Sequence, residues 1–82
     1  MELVVESIES ISVIQIIGRL EAANRDELTQ TFKGQLADRK AHFLLDLSRL
    51  EFIDSSGLGC LVSCLRSADK TGGALKIVAP QA

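Results

Sequence analysis

Tryptophan and tyrosine are absent, and three phenylalanines are the only aromatics among 82 residues, so the core has to be largely aliphatic. No apolar run approaches the roughly 20 residues that a membrane-spanning helix needs. Nine Lys and Arg against eleven Asp and Glu leave a formal net charge of -2. The basic residues are scattered rather than clustered, which argues against a nucleic-acid surface, because phosphate contacts need grouped Lys and Arg. Cys60 and Cys64 are too few for a disulfide framework, and four residues apart on a helix they have the wrong geometry for easy bridging. His42 is the single histidine. It opens a strand, which leaves a serine nucleophile without a base, and there is no Gly-x-Ser-x-Gly elbow. His42, Cys60 and Cys64 fall short of the four ligands of a structural zinc site. Gly57-Leu58-Gly59 lacks the third glycine of a dinucleotide loop and the Gly-Lys-Ser/Thr of a P-loop. The expectation is a non-enzyme without cofactor or metal. Met1-Glu2 begins with an acid instead of a basic signal-peptide region, which points to the cytoplasm.

What is present is the composition of a compact protein, 46% hydrophobic and 24% charged. Its length allows one domain, residues 1–82. Leu3-Val4-Val5 and the β-branched run Ile11 to Ile17 read as strands joined by a turn at Ser7 to Ser10. Asn24, with Glu27 three residues on, has capping-box spacing and opens a helix. Leu28, Phe32 and Leu36 form its apolar stripe, Gly34 weakens it, and it ends near Asp38 or Arg39. Phe43 to Leu47 reads as a central strand. A second helix starts around Ser56, with Leu58, Leu61, Val62, Leu65 and Ala68 on one face, and Thr71-Gly72-Gly73 ends it. Ala74 to Val78 is the last strand before Pro80. The order β-β-α-β-α-β predicts an α/β domain with a mixed four-stranded sheet. Right-handed crossovers put both helices on one face, and the first strand joins antiparallel.

The turn Asp54-Ser55-Ser56-Gly57-Leu58-Gly59 is the candidate site. Backbone amides at a helix N-terminus favour anionic oxygen, so a phosphoryl group would be tolerated there. It would add roughly -1.5 to -2 charge beside Asp54 and Glu51. The competing structural reading is that Ser55 or Ser56 caps the helix while Gly57 and Gly59 permit close packing.

Gly18-Arg19-Leu20-Glu21, Leu44-Leu45-Asp46-Leu47-Ser48, Phe52 to Gly59 and Gly72-Gly73-Ala74-Leu75 together resemble the STAS domain family. More narrowly they resemble the small bacterial anti-sigma factor antagonists, over nearly the whole chain. The resemblance implies a protein that binds a serine-kinase anti-sigma factor, releases the sigma factor and is switched off by serine phosphorylation. It implies Ser55 as the phosphoacceptor, with Ser56 second. Asp54 matches the acid before the acceptor, and Glu21 matches an acidic position after the second strand. Glu21, Asp54, Ser55, Ser56, Gly57, Leu58 and Leu61 are the expected partner-binding residues, with Arg19, Arg25 and Arg49 at the rim. Family members commonly continue with a further helix where this chain stops at Ala82. The uncovered apolar surface leads one to expect a homodimer or strand exchange. The alternative implied by the resemblance is a STAS-type subunit of a transporter or signalling scaffold, in which the serines only cap.

Overall fold

A ten-residue strand organises the molecule. In this computed structural model, which describes residues 1–38 and 42–78, β1 spans Glu2–Ile8, β2 Ile11–Leu20, α1 Arg25–Ala37 and β3 His42–Asp46. They are followed by β4 at Leu50–Ile53, α2 at Ser55–Lys70 and β5 at Ala74–Val78. β1 pairs antiparallel with β2, β2 pairs parallel with β3, and β3 pairs parallel with β5. This is the mixed four-stranded path predicted from the alternating elements. The expected positions Arg39, Pro80 and Ala82 lie outside the described residues.

The structure corrects the strand count. The sheet has five strands, because Leu50–Ile53 pairs parallel with the far end of β2 beside a register shift between Gly18 and Arg19. Gly18, at φ 95°, supplies a backbone that L-residues rarely adopt. With only four residues, two of them exposed and one of those an acid, β4 has no periodicity to distinguish it from a loop. The first hairpin is also longer than expected. β1 runs through Ile8, and only Glu9 and Ser10 form the turn, with Glu9 at φ 58°.

Alternation along β2 decides which way the sheet faces. Ser12, Ile14, Ile16 and Leu20 are buried toward the helices, while Val13, Gln15 and Ile17 point to the other face and are half-buried. Parallel register puts Phe43 and Leu45 on the buried side with them. Leu28 and Phe32 of α1 close over this layer, and Leu36 packs at its margin, as their spacing predicts. Phe32 and Phe43 meet at 4.6 Å between ring centroids. Ser12, the one buried polar residue among the described residues, donates to Gln35 Oε1 at 2.7 Å, so its burial leaves no unmade hydrogen bond.

The packing face of α2 agrees with the predicted one at Leu61 and Ala68 and differs from it elsewhere. Gly57, Cys60, Leu61, Cys64 and Ala68 are buried, whereas Leu58, Val62 and Leu65 are 57%, 41% and 45% exposed. Four of the five buried residues are small, which lets the helix axis approach the sheet closely. The larger aliphatics are left on the flank.

Candidate functional site

The end of β2, β4 and the start of α2 converge on Asp54. Its backbone N–H donates to the Leu20 carbonyl at 3.2 Å, which ties the helix entrance to the end of β2. One carboxylate oxygen accepts from Gly57 N–H at 2.8 Å, and the other accepts from Ala22 N–H at 3.2 Å. Asp54 is therefore the N-cap of α2. Neither serine has that duty, which corrects the capping reading of Ser55 and Ser56. The Gly57 hydrogen bond is the main reason the Asp54 carboxyl is held below the usual carboxylate range, with Ala22, Ser56 and the Arg25 charge adding to it. An aspartate is itself a favoured N-cap residue, so the signal was present one residue earlier than it was sought.

Freed from capping, Ser55 is the exposed first residue of α2, and Ser56 behind it is half-buried. Among the described residues neither hydroxyl has a side-chain hydrogen bond. Gly57 follows because nothing larger fits. A Cβ there would lie 2.6 Å from the Leu20 carbonyl oxygen and 2.9 Å from atoms of Ile53 and Leu20. Gly59 has no such constraint, with nothing within 4 Å of its Cβ position, so the expected packing role does not hold for it. Leu58 is exposed beside Ser55, but Leu61 is 5% exposed within the core and so drops out of the expected partner surface.

The loop after β2 forms the other wall. Asn24 precedes α1 as predicted, yet its side chain makes no cap to that helix. It turns back, accepting from Glu21 N–H at 2.9 Å and donating to the Arg19 carbonyl at 2.8 Å. This clamp shapes the Arg19–Asn24 turn against which Asp54 docks through Ala22. Glu21 is half-buried and pairs with Arg19 at 3.1 Å, and the Arg19 guanidinium lies 4.1 Å above the Phe52 ring. Sequence reasoning treated Arg19 as a solvated rim residue and missed Phe52. Cation and ring are far apart along the chain, and only the pairing of β4 with β2 brings them together. An acid, a cation and an exposed aromatic are thus linked to one another where the end of β2 meets β4.

The other reactive side chains lie elsewhere. Cys60 Sγ is 3.2 Å from Thr29 Oγ1 in the groove between α1 and α2. Burial, reinforced by Cys60, pushes the Cys64 thiol up to about 12, so it stays protonated at neutral pH. His42 begins β3 at the strand end remote from Ser55. Among the described residues no group of three His, Cys, Asp or Glu converges on a metal position, and no helix is long and apolar enough to cross a membrane.

The STAS domain family model matches residues 2–82. An anti-sigma factor antagonist from Mycobacterium paratuberculosis is 27% identical with a TM-score of 0.86, over 95% of this chain and 66% of that one. A Thermotoga maritima protein, named as a candidate anti-sigma factor antagonist, is 25% identical with a TM-score of 0.87, over 96% of this chain and 68% of its own. The Bacillus anti-sigma factor antagonist SpoIIAA is similar in fold in both of its solved states. The unphosphorylated form is 19% identical with a TM-score of 0.82, over 99% of this chain and 76% of that one. The phosphorylated form is 20% identical with a TM-score of 0.81, over 98% and 74%.

Proposed function

The chain belongs to the STAS domain family, and from that membership we propose that it is an anti-sigma factor antagonist acting in the cytoplasm. It binds a serine-kinase anti-sigma factor, which then releases its sigma factor, and phosphorylation of Ser55 by that kinase ends the binding. The chain acts by binding rather than by catalysis. The observation that carries the reading is the exposed, side-chain-unbonded Ser55 hydroxyl on the first residue of a helix whose cap is supplied by Asp54.

That division of labour makes a switch physically workable. A phosphoryl group on Ser55 removes no capping bond, so the fold survives the modification. The N-terminal amides and helix dipole partly balance the added charge within the chain. A partner surface fitted to a neutral hydroxyl instead meets a dianion beside Asp54 and Glu51. Glu21, Asp54, Ser56, Gly57 and Leu58 complete the proposed contact surface, with Gly57 and Asp54 acting by holding the backbone in place. Moving occupancy from about 99:1 to 1:99 takes a ~10⁴-fold change in relative affinity, about 5.5 kcal/mol.

Intact-mass spectrometry and pull-down with the cognate kinase and MgATP test the proposal. The chain should gain one phosphoryl group mapping to Ser55. Ser55→Ala should bind without being modified, and Ser55→Asp should bind weakly. A phosphate mapping to Ser56 alone transfers the acceptor role by one residue. Kinase binding that is indifferent to Ser55→Asp removes the switch.

A further inference from the structure

Two thiols share one groove and have no part in the proposed switch. The groove between α1 and α2 has a volume of about 490 Å³, and Cys60 and Cys64 both line it. Both are free thiols, four residues apart on one helix, and they are only 6% and 4% exposed. Helix neighbours at that spacing stand about 5–6 Å apart between Cβ atoms. A disulfide needs roughly 3.5–4.5 Å, so the pair is too wide to bridge directly. An ion held between the sulfurs closes the gap, since two metal–thiolate bonds, about 2.3 Å each for zinc, span about 4.6 Å in line. The thiols already sense each other. Burial first, and the neighbouring Cys60 second, push Cys64 up to about 12. Cys60 Sγ also lies 3.2 Å from Thr29 Oγ1 and 3.5 Å from the Arg25 carbonyl oxygen, so the pair is turned toward a polar wall rather than an aliphatic one.

We infer that Cys60 and Cys64 form a two-coordinate site for a soft monovalent cation of the copper(I) type. Soft thiolate donors select such an ion, whereas structural zinc takes four ligands. Among the described residues no third His, Cys, Asp or Glu joins the pair, and the nearest other atoms are a hydroxyl and a carbonyl oxygen, which are hard donors. Binding forms two metal–sulfur bonds and breaks two S–H bonds. The two protons leave to solvent, and the ion keeps its oxidation state. Two thiolates and one monovalent cation leave a single negative charge, and the α1 wall of the groove carries Arg25 and Lys33 against one acid, Asp26. A cation between the sulfurs also removes the repulsion that would otherwise oppose a second thiolate beside the first. The inference goes beyond the proposed function and does not depend on the kinase.

Anaerobic titration of the reduced full chain with copper(I) buffered by bicinchoninate tests it. One copper(I) per chain is expected, with two protons released, so the affinity should rise ~100-fold per pH unit between about pH 6 and 8. Cys60→Ser and Cys64→Ser should each weaken binding ~100-fold or more, because a hydroxyl replaces one soft donor. Circular-dichroism melts establish that both variants are folded. X-ray absorption of the loaded parent chain needs no variant and should show two sulfur neighbours around copper. Copper that stays on bicinchoninate, release of a single proton, one ion shared between chains, binding undiminished in Cys64→Ser, or zinc(II) held as tightly as copper(I) overturns the inference.

Discussion

Replacing Gly57 and Gly59 by alanine, one at a time, should have opposite effects although they lie two residues apart on one helix. At position 57 the new methyl would sit 2.6 Å from the Leu20 carbonyl oxygen, well inside ordinary contact. That carbonyl cannot simply retreat, because it accepts the Asp54 N–H at 3.2 Å. Overpacking of this kind costs about 1–3 kcal/mol, and loosening the hydrogen bond adds about 1 kcal/mol. Alanine's helix preference returns about 1 kcal/mol, leaving Gly57→Ala destabilised by about 2 kcal/mol. At position 59 nothing lies within 4 Å of the Cβ, so only the propensity gain remains. For a domain of this size, ~4–8 °C per kcal/mol puts Gly57→Ala roughly 10 °C or more below the parent. Gly59→Ala should melt a few degrees above it. Thermal melts followed by circular dichroism measure both, and kinase-dependent phosphorylation of Ser55 should fall in Gly57→Ala alone. A Gly57→Ala melting point equal to that of Gly59→Ala would refute the close approach of α2 to the end of β2.

Two further outcomes follow from the backbone and the cap. Glu9 occupies the left-handed region at φ 58° in a two-residue hairpin turn, so Glu9→Gly should stabilise the chain by about 0.5–1 kcal/mol in urea unfolding, with Glu9→Ala giving no such gain. Asp54 is held below its ordinary range chiefly by the Gly57 N–H, so the unfolded state binds its proton more readily. Its stabilising contribution is complete above the ordinary carboxylate range and is lost as the pH falls through the lowered value. Asp54→Asn keeps a cap acceptor but cannot titrate, and it should flatten part of the acid limb of the stability profile.

How much of this was legible in the sequence depended on which physical rule applied locally. β2, β3 and β5 announce themselves through β-branched or apolar runs bounded by turn residues, and the order of elements then dictates parallel pairing. Leu28, Phe32 and Leu36 also lie where a 3.6-residue period puts them. The period was equally clear in α2 and placed Leu61 and Ala68 in the core, but it put Leu58, Val62 and Leu65 there as well. Hydrophobicity ranks Leu58, Val62 and Leu65 above Gly57, Cys60 and Cys64, whereas close packing on a sheet selects for small side chains. β4 was missed because its pairing is set by the far end of β2 and the bend at Gly18, not by its own four residues. Within the site, the turn that carries Asp54 and Ser55 was legible as a helix entrance. The assignment of the cap to Asp54 and the backward reach of Asn24 required tertiary geometry, since each side chain had more than one local hydrogen-bond option. The Arg19–Phe52 contact was beyond local reasoning for the same cause.

The most direct measurement is the affinity of the cognate serine-kinase anti-sigma factor for the full chain carrying phosphoserine at position 55, set by titration calorimetry against the unmodified chain. Amide spectra of the two forms should show the same fold, with changes confined to the Arg19–Asn24 turn and the first turns of α2. The phosphorylated chain should bind ~10³–10⁴-fold more weakly, the range a binding switch requires. Equal affinity of the two forms would contradict the switch, and a collapse of the amide spectrum would contradict the assignment of the cap to Asp54.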